Sequence, residues 1–380
     1  MRGLQRAILR GFAVGTVAAS AYAAASCTYS VGALAPFDPG DAALDAAGLD
    51  TEAGTAASSC FDTISDSKNC GACGRDCLGQ PCVEALCVPA VLASAQDEPR
   101  TLAVDDDGIY WGSGTTAGVY ACRPKACPDG PTLIADEGVP VVALTTSKFY
   151  LFWSTRSEIH RLAKDGTAVV RVDNGAAAGA VVALAADETS FYFTTTDVLG
   201  GVGRCPSAGC PMGNADYLAY DFERPSGLAL GPTGFAFFAG AQDRSVVYCS
   251  PACGDPPSKL AKIIAAGLSE PDTIALDEHA AYFTQGLDSA VAGVARASLS
   301  APFVATTLAV IDTPGPLATD ATSVYFVGKA DGSIRKVSKG GGPVVILAKG
   351  QSAPRAIAVD GARVYFTNAG PNGNVLWVAK

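Results

Sequence analysis

A short apolar run built around an alanine recurs along the chain: Leu102-Ala103-Val104-Asp105, Val142-Ala143-Leu144-Thr145, Leu184-Ala185-Ala186-Asp187, Leu228-Ala229-Leu230-Gly231, Ile274-Ala275-Leu276-Asp277, Leu317-Ala318-Thr319-Asp320 and Ile357-Ala358-Val359-Asp360. The alanines lie 40 to 46 residues apart, and self-similarity at such a period marks an array of stacked supersecondary units. An aromatic strand follows each run after a few turn residues, as in Ile109-Tyr110-Trp111, Phe191-Tyr192-Phe193 and Val364-Tyr365-Phe366. In the second repeat an insertion blurs the register around Phe149 to Trp153. A third strand such as Gly118-Val119-Tyr120-Ala121-Cys122 and a short aliphatic fourth such as Val344-Val345-Ile346-Leu347 complete the unit.

Four strands in one period make one propeller blade, and nothing in the pattern asks for a helix. The fold class expected is therefore all-β: a seven-bladed β-propeller with four-stranded blades over residues 89–380. The last repeat ends on its third strand, Val375-Leu376-Trp377-Val378, while Ala90-Val91-Leu92-Ala93 stands spare ahead of the first. That segment matches Val345-Ile346-Leu347-Ala348 in character, so it can complete the seventh blade and leave no open sheet edge. The repeated alanine has a packing reason, because innermost strands converge on the axis and a larger side chain there would overpack. On these repeats the chain resembles the NHL and YVTN class of propellers, a likeness that implies the fold and leaves the function open.

Ahead of the array, Arg2, Arg6 and Arg10 precede an uncharged stretch from Gly11 to Ala25, the layout of a secretory signal. The segment Ala24-Ala25-Ser26-Cys27 resembles the lipobox of bacterial lipoproteins, which implies acylation of Cys27 and residues 1–27 as signal peptide. That family prefers Leu where Ala24 stands, and ordinary cleavage after Ala23 or Ala25, giving a soluble periplasmic or secreted protein, is the alternative. Residues 28–59 carry five acidic side chains, no Lys or Arg and few large apolar groups, and read as a flexible acidic linker.

The thirteen cysteines fit this address, since thiols pair in exported proteins and an odd count needs one special member. With Cys27 lipidated, the other twelve can all pair. Cys60, Cys70, Cys73, Cys77, Cys82 and Cys87 define a disulfide-rich module over 60–88, too short to be stable through apolar burial alone. Fifteen pairings are open there. The phrase Asn69-Cys70-Gly71-Ala72-Cys73-Gly74-Arg75-Asp76-Cys77 resembles a small Cys-rich module of exported bacterial proteins, which assigns no activity. Three close couples, Cys122 with Cys127, Cys205 with Cys210 and Cys249 with Cys253, fall at third-to-fourth strand hairpins and read as staples.

Function is less constrained. A net charge of −10 excludes a nucleic-acid partner. In an antiparallel blade the second-to-third and blade-to-blade loops share one face, and the longer loops lie there. Trp111, Trp153, Arg156, Glu223, Arg224, Arg244, Glu270, Lys329 and Asp331 are the candidate ligand contacts. With only His160 and His279, on different blades, no His dyad forms, and no nucleophile elbow or axial metal cluster stands out. Seven-bladed lyases that resemble this fold use a His and a Glu, and His279 with Glu278 falls on the other face. The expectation is a non-catalytic binding or scaffold propeller of the cell envelope, with no cofactor and no metal. It would recognise an envelope protein, peptide or glycan as a monomer, and touch the membrane, an outer membrane, only through its lipid anchor. The alternative is a metal-assisted hydrolase or lyase, lactonase-like or streptogramin-lyase-like.

Overall fold

A computed structural model describes residues 60–380 except 61, 115–117, 167, 174–178, 197–199, 241–243, 254–259, 287–292 and 371. Cys27, the signal segment and the acidic linker lie outside the described residues. Among the described residues no helix is long and apolar enough to cross a membrane.

Seven four-stranded antiparallel sheets form the ring. Blade one consists of Pro99–Val104, Ile109–Ser113, Gly118–Cys122 and Thr132–Asp136, and the following blades repeat that meander in sequence order. Blade seven takes Pro354–Val359, Arg363–Asn368 and Gly373–Ala379 from the end of the array, and Ala90–Gln96 from its beginning. Val91 pairs with Leu376 and Ala93 with Val375, so the ring closes as the repeats require. One short 3-10 turn, Pro211–Gly213, interrupts the strands. The aromatic second strands supply the largest buried side chains, among them Trp111, Trp153, Tyr325 and Phe283, which fill the wedges between blades.

Register in the second blade differs from the sequence alignment. Leu144 pairs with Trp153 and Thr145 with Phe152, whereas in blade one Leu102 pairs with Trp111 and Ala103 with Tyr110. The repeated alanine of the other six blades therefore corresponds to Thr145, and Ala143 lies two residues nearer the strand's start. The run Val142-Ala143-Leu144 imitates the repeat two residues out, a slip that keeps each side chain on its own face of a period-two strand, so the alternation alone does not reveal it.

The first-to-second turns carry a second, polar repeat. In blades three, five, six and seven the aspartate after the first strand caps its own turn and accepts a hydrogen bond from a tyrosine hydroxyl five residues on: Asp187 from Tyr192, Asp277 from Tyr282, Asp320 from Tyr325 and Asp360 from Tyr365. In blades two and four Ser147 and Gly231 replace the aspartate, and Phe152 and Ala236 replace the tyrosine. Four of these turns also bind a lysine from the next blade: Asp105 with Lys164, Asp277 with Lys339, Asp320 with Lys380 and Asp360 with Lys125, at 2.6 to 3.0 Å. Burial would raise the Asp277 carboxyl, but donation from Lys339, the His279 and Ala280 amides and Tyr282 outweighs it and holds the group at about 2. Asp360 is likewise held at about 2, against burial, by its turn amides, Lys125 and Tyr365.

The six cysteines of the module are all disulfide-bonded, and the connectivity left open among them resolves as Cys60–Cys73, Cys70–Cys82 and Cys77–Cys87. Cys122–Cys127, Cys205–Cys210 and Cys249–Cys253 close the third-to-fourth hairpins. The Sγ atoms of Cys70, Cys77 and Cys87 lie within 4.8 Å of one another, yet each is disulfide-bonded, so they present no thiolate to a metal. The described residues form one compact unit: Cys70, Cys77, Cys82 and Cys87 of the module join the core of blades six and seven, and Arg75 donates to the Ala379 carbonyl. This many disulfides suits an extracellular or periplasmic compartment.

Candidate functional site

The seven first strands stand side by side around the axis, and their starting ends open on the face of the blade-to-blade loops. There they border a cavity of about 340 Å³ to which every blade contributes. Its walls are tiered. Leu102, Leu144, Leu184, Leu228, Ile274, Leu317 and Ile357, one per blade, lie at the floor, and all but Leu102 and Leu144 are buried in the blade cores. One residue nearer the mouth the side chains are small, as at Thr101, Ala143, Ala183 and Gly227, which leaves room above the floor. Gly227 has φ +56 and a Cβ there would meet the Phe238 ring at 2.7 Å, so glycine is required by both backbone and space.

The third tier rims the mouth and is asymmetric. Arg355 and Arg100 hold equivalent positions on the adjacent blades seven and one, Val142 and Val182 line blades two and three, and Asp272 stands on blade five. Arg100 is ion-paired with Glu98, and Asp272 with Lys329 of blade six. Arg355 is exposed and makes no hydrogen bond or ion pair among the described residues. It also borders an adjoining cavity of about 370 Å³ lined by Asp272, Lys329, Ala353 and Pro354. The chain enters five first strands through a left-handed residue followed by proline: Glu98, Arg224, Glu270, Thr313 and Ala353 have φ of 43 to 50°. Non-glycine residues occupy that region at a cost, and proline's fixed φ after each sets the direction of the strand that follows.

The predicted contacts fall on this face but do not converge. Arg156, Glu223, Arg224, Glu270, Lys329 and Asp331 are exposed in its loops. Lys329 alone of them borders the cavities described. Asp331 is tied to Arg335 and Ser333, and Arg244 donates to Ser226 Oγ. Trp111 and Trp153 are corrections, since both are 0% exposed. Their indoles are core, held by Nε1–H donation to Gln96 and Glu137 at 3.0 and 2.7 Å. An aromatic in a strand that packs between blades is drawn inward by its own apolar area.

A charged cluster in blade two escaped the sequence reading. His160 lies with Nδ1 2.7 Å from Glu137 and Nε2 3.2 Å from Glu158. The Nδ1 contact has the distance of a hydrogen bond, though not its full angular geometry. Arg171 bridges Glu158 to the fully buried Asp173, whose Oδ1 also accepts the Ile159 amide. The carboxylates come from two blade-to-blade connections and a second-to-third turn, and His160 and Arg171 from the third and fourth strands, an assembly that no sequence motif links. His279 is exposed on the opposite face, 3.0 Å from Glu278.

No protein-family model and no curated protein sequence matches the chain. Solved structures match it in fold. A streptogramin B lyase structure superposes with a TM-score of 0.58 at 11% identity, covering 77% of this chain and 97% of that one. The computationally designed Ika8 protein gives a TM-score of 0.50 at 12% identity, covering 76% and 98%. At such identities the likeness concerns the propeller alone.

Proposed function

We propose that this protein is a binding propeller of the bacterial cell envelope, of the NHL and YVTN type, that receives a peptide or glycan of that compartment in its axial funnel. Cys27 carries a lipid that anchors the chain to the membrane, and the acidic linker and disulfide-rich module join that anchor to the ring. The observation that supports the reading is the funnel itself: a cavity to which every blade contributes, with small side chains below its mouth and a rim bearing one guanidinium that has no partner among the described residues. Concave sites with a few placed polar groups are what small-ligand recognition uses. Among the described residues the lining holds no histidine, and its one carboxylate, Asp272, is committed to Lys329.

The test is a binding screen of the full chain against envelope glycan fragments and peptides, with Ala183→Trp filling the funnel and His279→Ala altering the opposite face. The expected result is a ligand lost in Ala183→Trp and kept in His279→Ala. Turnover of a lactone or a streptogramin, or binding unaffected by the filled funnel, contradicts the proposal.

A further inference from the structure

We propose that His160 is a proton-dependent tie on the connection between blades one and two: as imidazolium it holds Glu137 and Glu158 at once, and on losing a proton it lets the Glu137 segment open to water. Nδ1 lies 2.7 Å from Glu137 and Nε2 3.2 Å from Glu158, so both ring nitrogens face carboxylates. A neutral imidazole carries one N–H and one lone pair, and a lone pair turned toward a carboxylate is repelled by it. The charged ring alone offers a donor to each side. Imidazole is also the side chain that ordinarily changes charge between pH 5 and 8.

The two carboxylates are unequally provided for. Glu158 is partly exposed and keeps Arg171 as a second cation. The Glu137 side chain is 8% exposed, and its bond from Trp153 Nε1–H, at 2.7 Å, brings no charge. Among the described residues His160 is its only ion-pair partner. The charged groups around the ring are thus Glu137 from the connection, Glu158 from the second-to-third turn, and Arg171, opposite His160 on the fourth strand, with Asp173 bound behind it. Trp153 meets the ring edge-on from the second strand. A carboxylate this deep is costly without a counter-ion, so loss of the imidazolium favours opening of the segment that carries Glu137. Residues 138–140 are already exposed, and the Val141 and Val142 amides beyond them hold the segment through the Ser113 and Ser154 carbonyls. Val142 borders the funnel mouth, which places the tie beside the funnel without lining it.

Trp111 supplies an internal control, because its Nε1–H donates to the uncharged Gln96. Nuclear magnetic resonance of the full chain from pH 5.5 to 8.5 reads the ring nitrogens of His160 and the indole N–H signals together. As the pH rises His160 is expected to lose one N–H, the Trp153 signal to shift with the same midpoint and the Trp111 signal to stay. Over that range the protection of the Val141 and Val142 amides, corrected for the intrinsic exchange rate, is expected to fall at least about fivefold, the consequence of leaving one buried charged group unpaired. His160→Gln and Glu137→Gln should each abolish both effects. A Trp153 signal that does not follow His160, a Trp111 signal that follows it equally, or protection equal at the two ends of the range overturns the proposal. These readings come from the unaltered chain and decide the matter even where a variant does not fold.

Discussion

Lys380 reaches across a blade boundary to Asp320, its Nζ 2.7 Å from Oδ2, and lies 5.1 Å over the ring of Tyr325, which itself donates to the same carboxylate. One lysine thus closes an ion pair and a cation–π contact on a neighbouring blade's turn. The same arrangement recurs at Lys339 over Tyr282 with Asp277.

Removing the tie should cost measurable stability. Lys380→Met keeps most of the stem but loses both contacts, and the expected loss is about 1 to 2 kcal/mol in a urea titration, the sum of a partly buried pair and a cation–π contact. A midpoint equal to that of the unaltered chain would show the latch to be ornamental.

Acid should weaken the ring through the same turns. Asp277 and Asp360 sit at about 2 when folded against an ordinary 3.8, so the unfolded chain binds more protons between those values. Their contribution is complete above pH 4 and is lost as the pH falls toward 2. Unfolding midpoints measured from pH 5 to 2 should fall steeply, and less steeply in Lys339→Met.

Alkali should act with the opposite sign. Burial, reinforced by Asp187, pushes the Tyr192 hydroxyl up to about 12, and burial does the same at Tyr110 and Tyr365. The folded state holds these protons when the unfolded chain has released them, so stability should decline from pH 10 to 12. Absorbance of tyrosinate, titrated alongside circular dichroism, should show part of the tyrosines ionising only as the sheets melt.

The hairpin disulfides are expected to be structural. Cys205–Cys210 closes a sequence separation of 5, and the chain-entropy estimate for replacing both by alanine is a loss of about 2 kcal/mol. Ligand binding at the funnel should be unchanged in that variant, because the hairpin lies on the opposite face.

Much of the ring could be read in the residues because one constraint repeats: an alanine where strands crowd the axis and an aromatic where the wedge widens. The same regularity exposed Ala90–Gln96 as the missing strand, since an edge in a closed fold must find a partner. The second blade misled for a physical reason. Thr145 stands where the alanine belongs, and Val142-Ala143-Leu144 offers a better imitation. The aspartate and tyrosine that mark the frame in blades three, five, six and seven are missing there, with Ser147 and Phe152 in their places, so the blade's own residues offer nothing to correct the slip. The funnel was hidden because its character lies in one residue per blade, Arg100 and Arg355 among them, dispersed over the whole chain. Trp111 and Trp153 look like ligand platforms by type alone, and burial decides otherwise.

Hydrogen exchange of the full chain with and without the tightest ligand from the envelope screen probes the axial site most directly. Slowed exchange is expected in the segments that open the first strands, around residues 98–102, 225–228 and 353–357, with the hairpins at 122–132 and 205–216 unchanged. Protection confined to those hairpins, with the strand starts unaffected, would place recognition on the other face and contradict the funnel as the binding site.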